Sequence, residues 1–136
     1  MSAENVEFMR RQLQDWQRDD FDAFISKAHP DIEWYAVLQR LVEGPESVYR
    51  GHEGVRRLWR SYRTEFDDFE AEADEIRDVG DDRVVLLGQI RWRGAASGIE
   101  TESPFAAVAT IRDGMLFRSF DYLSHEEALK AVGLEE

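Results

Sequence analysis

The 136-residue chain contains no cysteine, and it has neither a long apolar run nor an apolar N-terminal segment. The absence of cysteine excludes disulfides, thiolate nucleophiles and thiolate metal ligands, and it suits a reducing compartment. No apolar run approaches the ~20 residues that a membrane helix requires. The first residues, MSAENVEFMRRQ, are charged where a signal peptide is apolar. We therefore expect a cytoplasmic protein that has no membrane partner.

Positive charge is also scarce in this sequence. The chain has 17 Lys and Arg against 29 Asp and Glu, which gives a formal net charge of -12. Because binding to phosphates needs a basic face, this balance argues against a nucleic-acid partner. The hydrophobic content of 43% is ordinary for a globular protein, and the length fits one core. The sequence therefore predicts a single domain over residues 1–136.

Motifs that hold common cofactors are missing. The sequence contains no GxGxxG, GxxxxGK or GxSxG pattern, so dinucleotide, P-loop and serine-hydrolase sites have no support. His29, His52 and His125 are far apart, and His125-Glu126-Glu127 lacks the second histidine of a zinc HExxH motif. The prediction is that the protein uses no metal and no other cofactor, which leaves acid/base work by carboxylates as the available chemistry.

The clearest structural signal is the stretch from 104 to 123, where two apolar runs are joined by Arg112-Asp113-Gly114. Asp-Gly between such runs predicts a β-hairpin, because glycine adopts the positive φ that the turn needs. Strict alternation in the second strand places Phe117, Ser119 and Asp121 on one face. Asp121 then lies among apolar neighbours near a strand end, either as a solvated residue or as a working acid/base.

Periodicity and turn signals predict the other elements. Helices are expected at 4–18, at 21–28, at 51–66 and from Ser124 onward. The Asp19-Asp20 pair is expected to cap the second of these helices, and Pro30 is expected to stop it. The segment 38–50 is expected to be a loop. Strands are expected at 31–37, 69–79, 84–93, 99–112 and 115–123. Residues 69–79 also fit a helix, and the turn that follows them favours a strand. This order predicts an α+β fold in which a strongly curved, mostly antiparallel sheet packs on N-terminal helices.

The inward face of strand 99–112 has two possible sets of residues. Alternation allows either Phe105, Ala107, Ala109 and Ile111, or Ala106, Val108 and Thr110. In strand 31–37, Ile32 and Trp34 share one side, and Glu33 and Tyr35 share the other.

Four segments, in order, resemble the SnoaL-like polyketide cyclase family of the nuclear-transport-factor-2-like superfamily: YRGHEGVRRLWRSY, FEAEADEIRDVGDDRVVLLGQIRWRG, ASGIETESPFAAVATIRDGMLFR and DYLSHEEALKAVGL. The resemblance covers nearly the whole chain. It implies a conical α+β barrel of cystatin-like topology that encloses an apolar pocket, commonly as a homodimer through the sheets.

The resemblance also bears on individual residues. An aspartate on the last strand serves as the acid/base in similar cyclases, and Asp121 stands in a comparable place. Many SnoaL-like chains have a histidine where this chain has Ala107, and the isomerase aspartate of the first strand corresponds here to Trp34. These departures weaken an isomerase or hydrolase assignment.

Two functional hypotheses follow. The first is acid/base catalysis of cyclase, isomerase or hydrolase type on a small hydrophobic or polyketide-like molecule, with Asp121 catalytic. The second is a non-catalytic small-ligand-binding or dimerisation domain of the same fold. The expected ligand-binding residues are mainly aromatic or small: Gln12, Trp16, Trp34, Trp59, Tyr62, Trp92, Phe105, Ala107, Phe117 and Ser119. If Asp121 instead faces solvent, Glu33 becomes the better acid/base candidate.

Overall fold

The computed structural model describes residues 2–134 and places five helices and six strands in them. The helices are α1 Ser2–Gln17, α2 Phe21–Ser26, α3 Val37–Glu43, α4 Gly51–Glu65 and α5 His125–Ala131. The strands are β1 Ala28–Tyr35, β2 Tyr49–Arg50, β3 Phe66–Gly80, β4 Arg83–Gly94, β5 Glu100–Arg112 and β6 Met115–Tyr122. The predicted α+β class is confirmed.

The six strands form one curved sheet in the order β2-β1-β6-β5-β4-β3. Every pairing is antiparallel except that of β1 with β6. The hairpin predicted at Asp113-Gly114 is confirmed: φ is 56° at Asp113 and 74° at Gly114, the positive values that a two-residue hairpin turn requires. The sheet is therefore a four-strand meander extended by β1 and β2.

Helices α1 and α4 cover the concave face of the sheet. Their apolar stripes meet in an aromatic cluster, in which the ring of Trp16 lies 4.7 Å from that of Trp59 and 5.2 Å from that of Tyr62. On the convex face, α5 packs Ala128 and Leu129 against β4 and β5. The large aromatic residues of the helices thus define one side of the interior and the sheet defines the other.

Two boundaries differ from the sequence predictions. Residues 38–50, expected to be a loop, contain most of α3 and the short strand β2. Pro30, expected to stop a helix, lies inside β1, in the stretch between Ala28 and Glu33 where the pairing with β6 shifts register. Proline is tolerated there because an irregular stretch requires no ladder hydrogen bond from its nitrogen.

A β-bulge in β6 overturns the predicted strict alternation. Thr110 pairs with Arg118 but Ile111 pairs with Leu116, so Phe117 is the extra residue on β6. Leu116 therefore shares the concave side with Ser119 and Asp121. Phe117 instead packs beside the ring of His29, with ring centroids 5.1 Å apart, so the prediction that it shares a face with Ser119 and Asp121 is wrong.

Candidate functional site

A cavity of about 80 Å³ lies between α1, α4 and the concave face of the sheet. Seven residues of its wall were expected from the sequence: Trp16, Trp34, Tyr62, Phe105, Ala107, Ser119 and Asp121. Eight others, nearly all large and apolar, were not: Met9, Leu13, Phe24, Phe69, Ala71, Leu86, Ile90 and Leu116. Because Phe105 and Ala107 line it, the first of the two possible inward sets of β5 is the correct one.

Three more expected ligand-binding residues lie outside the cavity wall. Gln12 is buried on α1, where its Nε2 donates to the carbonyl oxygen of Phe24 at 3.4 Å. Trp59 packs on α2, and its Nε1 donates to Oδ1 of Asp19 at 2.6 Å. Trp92 lies beside Phe66, with ring centroids 6.1 Å apart. The helical and strand spacing that marked these residues as inward does not distinguish packing against another helix from facing a cavity.

Asp121 is the only acidic residue, among those the structure describes, on the cavity wall, and its side chain is buried at 3% exposure. Nε1 of Trp34 donates to Oδ2 at 3.0 Å, and the hydroxyl of Ser119 donates to Oδ1 at 3.4 Å. The backbone N–H of Val37, the first residue of α3, also donates to this carboxylate. Among residues 2–134, no Lys, Arg or His forms an ion pair with it.

This environment shifts the proton affinity of Asp121 strongly. Burial raises its pKa from 3.8 to about 7, against the opposing effects of Trp34, the Arg40 charge, Ser119 and Val37. A carboxyl group with a pKa near neutrality populates both protonation states at physiological pH, which is the requirement for a general acid/base. The cavity thus holds a group that can both accept and release a proton.

Arg40 on α3 was missed by the sequence predictions. Its guanidinium lies over the ring of Phe120, 4.2 Å from the centroid, and donates to the backbone carbonyl of Asp121. It therefore fixes the end of β6 and places a positive charge near the carboxylate. The signal that could have found it is the spacing of Val37, Leu38 and Leu41, which fits one helical turn inside the segment assigned as loop.

Tyr62 supplies a second polar group to the cavity. Its side chain is 4% exposed, and its hydroxyl has no hydrogen-bond partner in the part of the chain that the structure describes. Burial, together with the charge of Asp121, raises the pKa of Tyr62 well above its ordinary value. The phenol therefore remains protonated, as a donor available to a ligand.

Glu33, the alternative acid/base candidate, lies on the opposite side of β1 from the cavity. Its carboxylate pairs with Arg50 at 2.7 Å and with Arg118 at 3.0 Å. Although burial acts to raise it, the pKa of Glu33 is held below its ordinary value by hydrogen bonds and charges from these two arginines. A carboxylate neutralised in this way is a poor proton carrier at neutral pH.

Residues 2–134 contain neither a metal-binding cluster nor a helix suited to a membrane. In that range, no group of three or more His, Asp or Glu side chains is arranged to hold a metal ion. No helix in that range is both long and apolar enough to cross a membrane.

Comparison with known proteins identifies the family. Residues 9–119 match the SnoaL-like domain. The chain belongs to the SnoaL-like family. The resemblance inferred from the sequence is thereby confirmed. No curated protein matches the sequence.

Solved structures show the same fold at low sequence identity. An NTF2-like protein of unknown function from Burkholderia pseudomallei is 20% identical, with a TM-score of 0.78 over 96% of this chain and 98% of the other. TerC, co-crystallised with polyporic acid, is 22% identical, with a TM-score of 0.76 over 95% and 98%. A putative SnoaL-like polyketide cyclase from Shewanella putrefaciens is 11% identical, with a TM-score of 0.70 over 89% of each chain.

Proposed function

We propose that this SnoaL-like protein is an enzyme in which Asp121 transfers a proton to or from a small hydrophobic molecule bound in the cavity. The observation that supports this proposal best is the placement of one carboxyl group, with a pKa of about 7, on an otherwise largely apolar cavity wall. Burying a carboxylate without an ion pair is unfavourable, so a purely structural role gives no reason to retain it.

The proposed chemistry uses two groups on the wall. The carboxylate of Asp121 removes a proton from a carbon next to a carbonyl group of the ligand, and the bonding pair moves to the carbonyl oxygen. The Tyr62 hydroxyl donates a hydrogen bond to that oxygen as negative charge develops on it. Protonated Asp121 then returns the proton to the same carbon or to another. No step in this scheme requires a cofactor.

The size and polarity of the site support a hydrophobic ligand. The wall is formed mainly by aromatic and aliphatic side chains, and such surroundings favour apolar molecules with few polar groups. A protein of the same fold, TerC, was co-crystallised with polyporic acid. We propose that the present chain likewise binds an organic molecule, one that is small and largely apolar as its own cavity wall favours. The scarcity of Lys and Arg and the absence of cysteine favour a cytoplasmic site of action, with no nucleic-acid partner.

Proton transfer by Asp121 can be tested without knowing the natural substrate. We expect the protein to catalyse exchange of the α-hydrogens of small ketones such as acetone in deuterated water, measured by proton NMR. Asp121→Asn should lower the protein-dependent rate on the order of 10²-fold, because the proton acceptor is lost while the shape is kept.

The matched control for this experiment is Asp113→Asn. Asp113 is exposed in the β5–β6 turn with a φ of 56°, which asparagine also tolerates, so the exchange rate should not change. If a panel of such ketones shows no protein-dependent exchange, or if Asp121→Asn exchanges them at the parent rate, the catalytic proposal fails and the non-catalytic pocket domain is the better description.

We also propose that the protein is a homodimer through the convex face of its sheet. Tyr35, Phe120 and Tyr122 form a row of contacting rings there, with centroids 5.0 Å apart in both pairs, and all three are only half-buried. A partner sheet would cover this apolar row. Light scattering at micromolar concentration should give about twice the 15.8 kDa mass of one chain. A mass of one chain across dilution and salt concentration would contradict the proposal.

A further inference from the structure

The cavity is too small to hold an entire ligand of more than a few heavy atoms. Its volume is about 80 Å³, whereas a dry apolar cavity that accepts one benzene ring has roughly 150 Å³. A larger ligand must therefore either displace wall residues or extend through the wall to the surface. The position of the neighbouring clefts shows where such an extension is possible.

The cavity adjoins surface clefts at the seam between α1 and β3. An outer cleft of about 400 Å³ shares Trp16, Phe69 and Ala71 with the cavity. A second cleft farther along the same seam shares Leu13 with it. β3 is the edge strand of the sheet, so on this side it borders a helix rather than another strand. Only side chains therefore separate the cavity from the surface here.

One side-chain hydrogen bond crosses the seam at this level. Nε2 of Gln17, the last residue of α1, donates to the backbone carbonyl of Ala71 at 2.8 Å, and Gln17 is exposed. An exposed hydrogen bond of this type contributes little net stability. It therefore presents a small barrier to a ligand that separates α1 from the edge strand.

The outer cleft is polar and carries a net negative charge. Glu70, Glu72 and Arg91 contribute its charged groups. Arg91 is already engaged, because it pairs with Glu70 and lies 3.5 Å from the carboxylate of Glu102. Glu72 forms no ion pair with the residues that the structure describes. A ligand end resting in this cleft therefore meets uncompensated negative charge.

Two features of the cavity point to a ligand independently of these acids. The first is the largely apolar space itself. The second is Tyr62 on its wall: the residue is only 4% exposed and forms no side-chain hydrogen bond within residues 2–134, while its hydroxyl oxygen is not among the fully buried unpartnered atoms. The hydroxyl is therefore accessible as a donor, and its acceptor is assigned to the ligand.

We infer that the ligand enters through the α1–β3 seam, places its apolar end in the cavity and leaves an uncharged or cationic end in the outer cleft beside Glu70 and Glu72. This inference rests on the proposed function, since it takes the cavity as the binding site. It narrows the ligand class to elongated molecules without a carboxylate, sulfate or phosphate at the outer end.

Three probes of equal shape test the charge preference. Octan-1-ol, octylamine and octanoate carry the same unbranched alkyl chain, whose narrow end suits a small cavity, with a neutral, a cationic and an anionic outer end. Isothermal titration calorimetry at low salt should give dissociation constants for the alcohol and the amine about tenfold lower than for the acid. High salt should reduce the difference, because exposed charges are screened.

A matched pair of variants separates the cleft from the overall charge. Glu70→Gln with Glu72→Gln should bring the three dissociation constants to within about twofold of each other. Asp81→Asn with Asp82→Asn changes the net charge equally at the β3–β4 turn, roughly 30 Å along the strand from the cleft, and should preserve the preference. Equal effects of the two double variants would show that only net charge matters, and would overturn the inference.

A second matched pair tests the route. Ala71 lines both the cavity and the outer cleft, whereas Ala73, two residues along the same edge strand, lines only the second cleft. Ala71→Leu should weaken binding of the amine at least about tenfold by blocking the shared wall, and Ala73→Leu should not. Circular dichroism establishes that both variants fold. Equal binding by the two variants would overturn the route.

The location of the probe distinguishes this inference from the proposed function. Nuclear Overhauser contacts between the terminal methyl protons of the alkyl chain and the methyl groups of Ala107 and Leu116 in the parent protein place the apolar end of the probe in the cavity. If these contacts are present but neither matched pair shows a difference, the seam and charge inference fails while the cavity remains the site. If they are absent, the cavity is not the binding site and both proposals fail.

Discussion

Asp121→Asn is expected to make the protein more stable at alkaline pH, by an amount that shrinks as the pH falls and approaches zero only below about pH 4. The folded protein holds the Asp121 proton with a pKa of about 7, compared with an ordinary value of 3.8. Between these values the folded state keeps a proton that the unfolded state has released, so the free energy of unfolding falls as the pH rises from about 4 to 7. Above that window both states are ionised and the full penalty for the buried charge is present.

The size of the effect follows from the pKa difference. About three pKa units correspond to a free energy on the order of 4 kcal/mol, which is a large fraction of the stability of a small domain. Asparagine removes the charge and keeps an oxygen that accepts from Trp34, while the Ser119 hydroxyl can reverse from donor to acceptor. Urea unfolding of the parent and the variant at about pH 4.5 and about pH 8.5 measures the gain at each pH.

Asp15→Asn is the matched control for this prediction. Asp15 is as deeply buried as Asp121, at 3% exposure, but its carboxylate pairs with Lys27 at 2.7 Å and with Arg18 at 3.3 Å. Removing its charge leaves Lys27 without its partner, so this variant should lose stability at about pH 8.5. A loss of stability by both variants at that pH would contradict the claim that the Asp121 carboxylate is unpaired.

Gly88→Ala is expected to destabilise the protein strongly, on the order of 3 kcal/mol, by overpacking two backbones. A Cβ at this position would overlap the carbonyl oxygen of Glu72 and lie 2.9 Å from the Cα of Ala73. Both contacts are with backbone atoms, so no side-chain rotation can relieve them. The close approach occurs where the register of β3 on β4 shifts, between Ala73 and Glu75. Glycine is therefore required for β3 to follow its path beside the cavity.

Gly94→Ala on the same strand is the control. A Cβ there would lie 2.6 Å from the hydroxyl oxygen of Ser97, which can rotate away. We expect a change within about 0.5 kcal/mol, typical of a surface substitution, and chemical denaturation of both variants measures the difference. Similar losses for Gly88→Ala and Gly94→Ala would show that the backbone contact across β3 and β4 is not as tight as described.

Local chemistry made much of the fold predictable. The two-residue turn predicted at Asp113-Gly114 requires a positive φ at both residues, and both have one in the structure. The spacing of Val55, Leu58 and Tyr62 predicts a helix that buries one face, and these residues are buried on α4. Signals of this kind depend on a few neighbouring residues, so the sequence contains them in full.

The errors lie where tertiary contacts decide the geometry. Strict alternation placed Phe117 with Ser119 and Asp121, but one bulged residue in β6 reversed the parity of Leu116 and Phe117. Alternation still placed Ser119 and Asp121 correctly, because both follow the bulge. A bulge depends on how β5 and β6 pair, and no residue type on β6 marks its position.

The site was predictable in its main residue and not in its surroundings. The sequence identified Asp121 as a carboxylate among apolar neighbours. It did not identify Arg40, because α3 was taken for a loop. Trp59 and Gln12 satisfy the same helical pattern as Trp16, yet they face α2 instead of the cavity. Distinguishing these cases requires knowing which elements pack together, and that information is not local.

The most direct test of the account is the pKa of the Asp121 side chain. A pH titration of the carboxyl carbon by ¹³C NMR, with the resonance assigned by its loss in Asp121→Asn, reports this value in the intact protein. The structure predicts a midpoint of about 7, because burial outweighs the hydrogen bonds from Trp34 and Ser119. A midpoint near the ordinary 3.8 would mean that the carboxylate is solvated, and it would contradict the assignment of Asp121 as a general acid/base.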